Sequence, residues 1–289
     1  MSRDEGLPER QLEKLAPIDK VPFEWDRTGY VSDGFNREAA DPDFGGWNGD
    51  RPTEEEARVV ADLLGLKRGD RFLDVGCGYG RHSLVMAKDY GLKVTGIDVS
   101  FGLIESARRR AAESNLTVEY RVMHARDLGA SGEFNHAAVI FNTFSLFSPE
   151  DAPVVLRNIG RALKGDGNLF MDLDNKPFNC RYGKSETRRL QSPEGPYIQQ
   201  VYFHDRDSVE TFRDVFFDGE GEVTGEFVGF KRIYSQDEIR DLLALNGFRT
   251  DRVFGDWDLS RLTDDSPKII VVASKAPMSG DAAEVRQTP

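Results

Sequence analysis

Two acids and three glycines stand at spacings suited to holding a polar ligand with cationic character. Asp74 precedes a turn, Gly76-Cys77-Gly78-Tyr79-Gly80, in which glycine recurs at every second place, and Asp98 closes the next apolar run. Glycine accepts positive φ and lets backbone approach a ligand closely, at the point where a strand gives way to a helix N-terminus. An acid ending the following strand can accept both hydroxyls of a ribose, so the pattern points to a cofactor with an adenosine portion. Arg81 in the sixth place departs from the G-x-G-x-x-G of dinucleotide turns, and an anion at Asp74 is awkward for a pyrophosphate. The turn is not G-x-x-x-x-G-K-[ST] either, which excludes a phosphate-cradling loop. Asp74 suits a cation instead, such as a sulfonium that carries an α-amino group.

The elements that must position these residues can be read on both sides of the turn. Thr53 and Glu56 have the spacing of a capping box, opening a helix with Val60, Leu63 and Leu64 on one face and Gly65 at its end. The stretch from Arg71 to Val75 reads as a strand, and Leu84, Val85 and Ala87 mark the helix after the glycines. "LKVTGIDV" is a second strand, after which Ser100 caps a helix from Phe101 to about Glu113. "TVEYRVM" alternates like a third strand and "AAVIFN" suits a buried fourth. Ser148-Pro149 starts a helix that buries Val154, Val155, Ile159 and Leu163 and stops near Gly165; "GNLFMDL" is a fifth strand. Ser235 and Glu238 form another capping box, ahead of Ile239, Leu242, Leu243 and Gly247, and "RTDRVFG" and "KIIVVASK" are the last strands. Repeated strand–helix units imply an α/β fold with a mostly parallel sheet and helices on both faces. From about Thr187 to Tyr234, runs such as "YIQQVYFHD", "VETFRDVFF" and "EFVGFKRIY" break that alternation and read as an antiparallel β layer, inserted after the fifth strand at about 180–234.

On these residues the chain resembles the class I S-adenosylmethionine-dependent methyltransferases of small-molecule type, over roughly Thr53 to Lys275. "FLDVGCGYG" is similar to the family's first motif, and "VTGIDVS" to its second. "HARDL" stands in the place of the third, with His124 where the family often has an Asp. "IFNTF" matches the end of the fourth strand and "LKGDGNLFMDL" the approach to the fifth, with Gly165 and Gly167 in the turn. The resemblance implies a Rossmann-like seven-stranded sheet and S-adenosyl-L-methionine as cofactor. It implies that Asp74 and the turn Gly76, Cys77, Gly78 and Gly80 meet the methionine portion and that Asp98 holds the ribose hydroxyls. Val99, Ala125 and Arg126 would line the adenine pocket, and the carbonyl of Phe141 would meet the cofactor's amino group. A dinucleotide-dependent oxidoreductase and a non-catalytic cofactor-binding regulatory subunit are the alternatives.

Composition bounds the rest. The chain has 289 residues, 39% of them hydrophobic with 19 Phe, enough for a real core. No apolar run reaches the roughly 18 residues of a membrane helix, the first residues are charged rather than signal-like, and two cysteines fit a reducing cytoplasm. A formal net charge of −12 disfavours nucleic acid, leaving a small-molecule methyl acceptor and a possible homodimer as expected partners. Arg108, Arg109 and Arg110 fall on the solvated face of their helix. His204, in the insert, is the candidate general base, weighed against a surface histidine beside Asp205 and Asp207. Asp172 and Asp174 share one face of the fifth strand and could bind a divalent cation, although strand-end solvation accounts for them as well; no metal site is expected. Residues 1–52 form an N-terminal segment whose aromatics, Trp25, Tyr30, Phe35, Phe44 and Trp47, could close over the site or staple the segment to the core, and 276–289 form a tail.

Overall fold

The computed structural model describes residues 15–25, 51–183, 185–192, 195–218 and 220–276. Tyr30, Phe35, Phe44 and Trp47 of the expected lid, and all but the first residue of the expected tail, lie outside the described residues.

Seven strands build the principal sheet: β1 (Arg71–Val75), β2 (Lys93–Asp98), β3 (Glu119–Val122), β4 (Phe134–Val139), β5 (Leu163–Asp174), β10 (Phe248–Phe254) and β11 (Lys268–Lys275). Their spatial order is β10-β11-β5-β4-β1-β2-β3. β1 to β5 pair in parallel, while β11 runs antiparallel to both β5 and β10. Adjacent residues of one strand feed opposite faces. Leu73, Met171 and Ile269 join one apolar cluster, with Val155, Leu156 and Ile159 of α4 (Asp151–Ala162) and Ile239 and Leu243 of α6 (Gln236–Leu245). Phe72, Phe170 and Ile270 join another, with Ala57, Val60 and Leu64 of α1 (Thr53–Leu64) and Met86 of α2 (Arg81–Asp89). Burial on both faces is why these strands are written as unbroken apolar runs.

The expected caps hold in two places. Ser100 accepts from the Leu103 amide at 3.1 Å at the head of α3 (Phe101–Glu113), and Ser235 with Glu238 closes a complete capping box on α6. The capping box at Thr53 and Glu56 does not form. Pro52 is the N-cap of α1, and both side chains are turned to α2 instead. The Glu56 carboxylate, 4% exposed, accepts from Arg81 Nη1 at 2.5 Å and bonds His82 Nε2 at 2.8 Å, while Thr53 Oγ1 accepts from Arg81 Nη1 at 3.1 Å. A buried pair outbids an end-of-helix amide for the same carboxylate. Gly165 and Gly167 also differ from expectation. They lie within β5, where residues 164–167 form an irregularity between the Phe134↔Leu163 and His136↔Asn168 pairings with β4.

The expected insert is a four-stranded antiparallel sheet in the order β6-β7-β8-β9 (Glu186–Ser192, Gly195–His204, Val209–Phe217, Val223–Arg232). Its first strand, "ETRRLQS", lacks the apolar alternation of the others and is not visible to that criterion. Charge on an edge strand is a usual guard against further pairing. α5 (Lys176–Tyr182), also unforeseen, joins β5 to this sheet with Pro at its second position.

Burial alone would raise the Glu56 pKa, but the bonds and charges of His82 and Arg81 outweigh it and hold the carboxyl below its ordinary 4.5. A depressed folded pKa stabilises fully above the unfolded value and is lost as pH falls through the folded one. Glu56→Ala is therefore expected to lower the unfolding free energy by about 3 kcal/mol at neutral pH. The gap between wild type and Glu56→Gln in urea unfolding should narrow only below about pH 4.5. A gap that is constant down to about pH 3 would contradict this ion-pair assignment.

Candidate functional site

The strand order reverses between β1 and β4, since the chain runs outward through β2 and β3 on one side and through β5 on the other. Crevices at the carboxyl ends of such strands are the ligand sites of open α/β sheets. Here the crevice is a cavity of about 1360 Å³, roofed by the antiparallel sheet.

The glycine turn forms one wall. Gly76, Gly78 and Gly80 have φ of +71°, +54° and +80°. The three glycines are needed for different reasons. A Cβ on Gly76 would stand 2.2 Å from the Thr143 methyl, and one on Gly80 2.3 Å from the Tyr120 hydroxyl; one on Gly78 would meet no atom within 4 Å. Gly78 donates its amide to Asp98 Oδ2 at 3.0 Å, and the Ser100 amide donates to Asp98 Oδ1 at 2.9 Å. Each carboxylate oxygen is thus held by one backbone donor and keeps lone-pair capacity for a ligand. Burial pushes the Asp98 and Asp74 carboxyls up; Asp74 is further held by the Ser83 hydroxyl, which donates to it at 2.6 Å. Burial, with Asp74 and Asp98 nearby, keeps Cys77 a thiol and removes it as a nucleophile.

Val99, Ala125, Arg126 and Phe141 line the same cavity, as do Asp74, Gly76, Cys77, Gly78 and Asp98; of the sequence-predicted cofactor residues Gly80 does not, its place being packed against Tyr120. His124, in the place of an acid, acts as one toward the backbone. Its Nδ1 accepts from the Arg126 amide at 3.1 Å and caps the 3₁₀ turn Ala125–Asp127, with Nε2 at 4.0 Å from Asp151. Burial lowers its pKa and so favours the neutral ring, and the bond from the Arg126 amide selects the tautomer with Nδ1 unprotonated.

At the end of β4 two successive non-glycine residues, Phe141 and Asn142, have φ of +64° and +59°. Asn tolerates this region through its short polar side chain, while for Phe it costs about 1–2 kcal/mol. β5 supplies the restraint. Asp172 Oδ1 accepts from the Phe141 amide at 2.5 Å, and Asp174 Oδ2 accepts from Asn142 Nδ2 at 2.5 Å. Lys268 Nζ donates to Asp174 Oδ1 at 2.7 Å. The two carboxylates do share one face, as strand alternation requires, and both are engaged by protein donors. The described residues hold no cluster of metal-ligand type.

The roof contributes a polar wall that sequence reasoning missed. Arg188, Gln199, Glu210 and Lys231 line the cavity from β6, β7, β8 and β9, with the aromatic rings of Tyr197 and Phe212 between them. Lys231 Nζ donates to Glu210 Oε1 at 2.7 Å. Burial would lower the Lys231 pKa, but Glu210 and Asp174 raise it, and Asp174 and Asp172 do the same for Lys268. The available signal was period two: Gln199 and Val201, or Glu210 and Phe212, recur on one side of their strands. The same alternation turns the candidate base away. His204 does not line the cavity; it bonds Thr211 Oγ1 at 2.9 Å and packs edge-on to Phe23 at 4.9 Å, on the face covered by residues 15–25. Of the expected N-terminal aromatics, Trp25 does line the cavity, as does Phe23.

Residues 72–167 match the family model described as a methyltransferase domain. That segment is similar to a methyltransferase domain. It carries β1 to β4, the glycine turn, Asp98 and the strained end of β4. The chain is 28% identical over 202 residues to phosphoethanolamine N-methyltransferase 1 of Triticum aestivum, covering 65% of this chain and 40% of that protein. It is 38% identical over 108 residues to the ubiquinone biosynthesis O-methyltransferase of Xanthomonas oryzae pv. oryzae, covering 37% of this chain and 44% of that protein. The chain thus spans about two fifths of the length of these curated relatives. Among solved structures, the CcbJ methyltransferase of Streptomyces caelestis superposes with a TM-score of 0.70 at 19% identity, over 86% of this chain and 98% of that one. The likeness extends the shared fold beyond that segment to the remaining strands.

The different jobs of the glycines predict different costs. Gly78→Ala should lose only backbone strain, about 1 kcal/mol. Gly80→Ala should lose a further 2 kcal/mol or so, because the added methyl overlaps Tyr120. Chemical denaturation of both variants checks the order, and equal costs would refute the packing account.

Proposed function

We propose that this chain is an S-adenosylmethionine-dependent methyltransferase that alkylates an O or N atom of a small molecule. The observation that carries the reading is the joined glycine turn and Asp98, facing one end of a cavity whose other end is closed by the antiparallel roof. The donor set fits the cofactor. Asp98, pinned by two amides, would take the ribose hydroxyls. Asp74 and the turn residues Gly76, Cys77 and Gly78 would face the methionine portion, with Gly80 packed behind them on Tyr120; Val99, Ala125 and Arg126 would face the adenine, and the Phe141 carbonyl the amino group.

When bound, S-adenosylmethionine supplies an electrophilic methyl group on a sulfonium. The chain's own part is to hold the acceptor in line and keep water away, for which ideal alignment is worth up to roughly 7–11 kcal/mol. The residues on the roof side favour nitrogen. A hydroxyl gains from a general base, whereas an amine needs only to be neutral. Lys231 and Lys268 are held as ammoniums; Glu210 is engaged by Lys231, and burial would raise the Asp174 pKa but Lys268 and Lys231 lower it, which makes Asp174 a weak base. N- and O-methyltransferases both occur among the relatives, so an acceptor screen should contain both amines and hydroxyls.

A small acceptor, rather than nucleic acid, is supported by the net charge of −12. Two free thiols, Cys77 and Cys180, support a reducing, cytoplasmic setting. No helix among the described residues is long and apolar enough to cross a membrane. We read residues 53–275 as one domain with the β layer inserted in it. That layer's role is to shape the cavity, and a homodimer, if formed, would be additional to it.

S-adenosylhomocysteine at about 100 times its dissociation constant should stabilise the folded chain by about 2.7 kcal/mol, raising Tm, whereas NADH should not. Asp98→Ala should abolish the rise. A rise with NADH alone would replace the assignment with a dinucleotide enzyme. Binding of S-adenosylhomocysteine without product across the acceptor screen would favour a non-catalytic subunit.

A further inference from the structure

We infer that Asp172 is a positioning residue for the amino-acid end of the cofactor, acting by holding Phe141 in its left-handed backbone conformation. This rests on the cofactor reading above. Phe141 is 39% exposed, so core packing does not impose its positive φ. Two contacts do hold it: the amide bonded to Asp172 at 2.5 Å, and the ring, which lies 5.1 Å from the guanidinium carbon of Arg81. Arg81 is itself fixed by Glu56, so the ring contact is anchored through α1.

Asp172 is 1% exposed. A carboxylate in such a place is costly, and an apolar side chain of similar volume would serve packing as well or better. Its bond to an amide that no regular strand conformation would present there gives it a task packing does not. Asp174, on the same face of β5, holds Asn142 by its side chain: Asn142 Nδ2 donates to Asp174 Oδ2 and Asn142 Oδ1 accepts from the Asp174 amide.

The consequence reaches the glycine turn directly. Thr143 follows these two residues, its hydroxyl donates to the Ile140 carbonyl at 2.7 Å, and its methyl occupies the space a Cβ on Gly76 would need. The direction of the Phe141 carbonyl and the seat of Gly76 are therefore set together by the conformation that Asp172 restrains. If residue 141 relaxed to a right-handed or extended conformation, the carbonyl would turn away and Thr143 would shift against the turn. The site would lose both contacts to the ligand's amino end while the sheet beneath remained folded.

The test is calorimetric titration of the full chain with S-adenosylhomocysteine, beside thermal unfolding without ligand. Asp172→Ala should weaken binding at least about tenfold, the scale for losing a hydrogen bond to a charged group. Asp172→Asn, whose amide oxygen can still accept from Phe141, should restore binding to within about threefold. The decisive comparison uses Phe141→Gly, since glycine takes positive φ without cost. In that background, Asp172→Ala should change affinity less than about threefold, because there is no strain left to restrain. Should Asp172→Ala fail to fold, Asp172→Leu fills the space without an acceptor and must show the same loss and the same rescue. Unchanged affinity in Asp172→Ala, or an equal loss with glycine at 141, would overturn the inference while leaving the cofactor reading intact. A wild-type chain that does not bind S-adenosylhomocysteine would overturn both, and is read from the first titration.

Discussion

The site depends on one constraint, the reversal of strand order at β1. Because β2 lies on one side of β1 and β4 on the other, the connections leaving their carboxyl ends diverge and open a crevice between them. The turn after β1 and the turn after β4 then meet across that crevice, with no room for a side chain between Gly76 and Thr143. Asp98 reaches the same place because β2 is parallel to β1 and in register, with Val75 opposite Ile97. A carboxylate, a glycine turn and a strained loop are thus assembled by topology, the loop coming from a segment far from the other two in sequence.

The central strands supply rigidity, and buried polar contacts supply the aim. Leu73 and Phe72 on opposite faces of β1 secure the sheet to helices on both sides, which fixes where the strand ends. They do not fix how the turns point. That is done by Asp98 on the amide of Gly78, Glu56 on Arg81 and His82, Asp172 on Phe141, and Asp174 on Asn142. Each is a carboxylate on a donor with little else nearby to satisfy it. In a low-dielectric surround such bonds are strong when made and expensive when broken, which makes them restraints rather than mere contacts.

Legibility in the sequence follows the same division. Apolar runs and turn glycines made β1 to β5, β10, β11 and most helices readable, since burial on both faces leaves a pattern in the chain itself. The wall of the cavity formed by the glycine turn and Asp98 was readable because glycine and acid sit on one short stretch. What was not readable required knowing which groups meet across the fold. Thr53 and Glu56 have the spacing of a local cap, yet the longer-range partners Arg81 and His82 take the carboxylate. Asp172 and Asp174 could be assigned to one face but not to Phe141 and Asn142, whose positive φ has no sequence mark. His204 looked chemical by type, but its strand turns it toward residues 15–25, whereas Gln199 and Val201 turn to the cavity. An alternation rule applied to β7 gives the two faces; only the roof's orientation says which of them is wet.

The roof completes the argument by joining the core through charge as well as through apolar contact. Lys231 on β9 feels both Glu210 beside it and Asp174 at the end of β5, while Lys268 on β11 is held between Asp174 and Asp172. Apolar residues in place of the four that line the cavity, Asp174, Glu210, Lys231 and Lys268, would close on each other and fill the space. Two paired ammoniums and carboxylates instead keep a lined, polar void, since each desolvated charge must remain beside its partner. The pairing also offers donors and acceptors side by side, while aromatic rings of Tyr197 and Phe212 supply apolar surface in the same wall. A molecule that enters must therefore match hydrogen bonds as well as shape. Because a site built on buried polar groups leaves them unpaired when the wrong molecule enters, selectivity by this wall can exceed what a purely apolar pocket of the same volume would achieve.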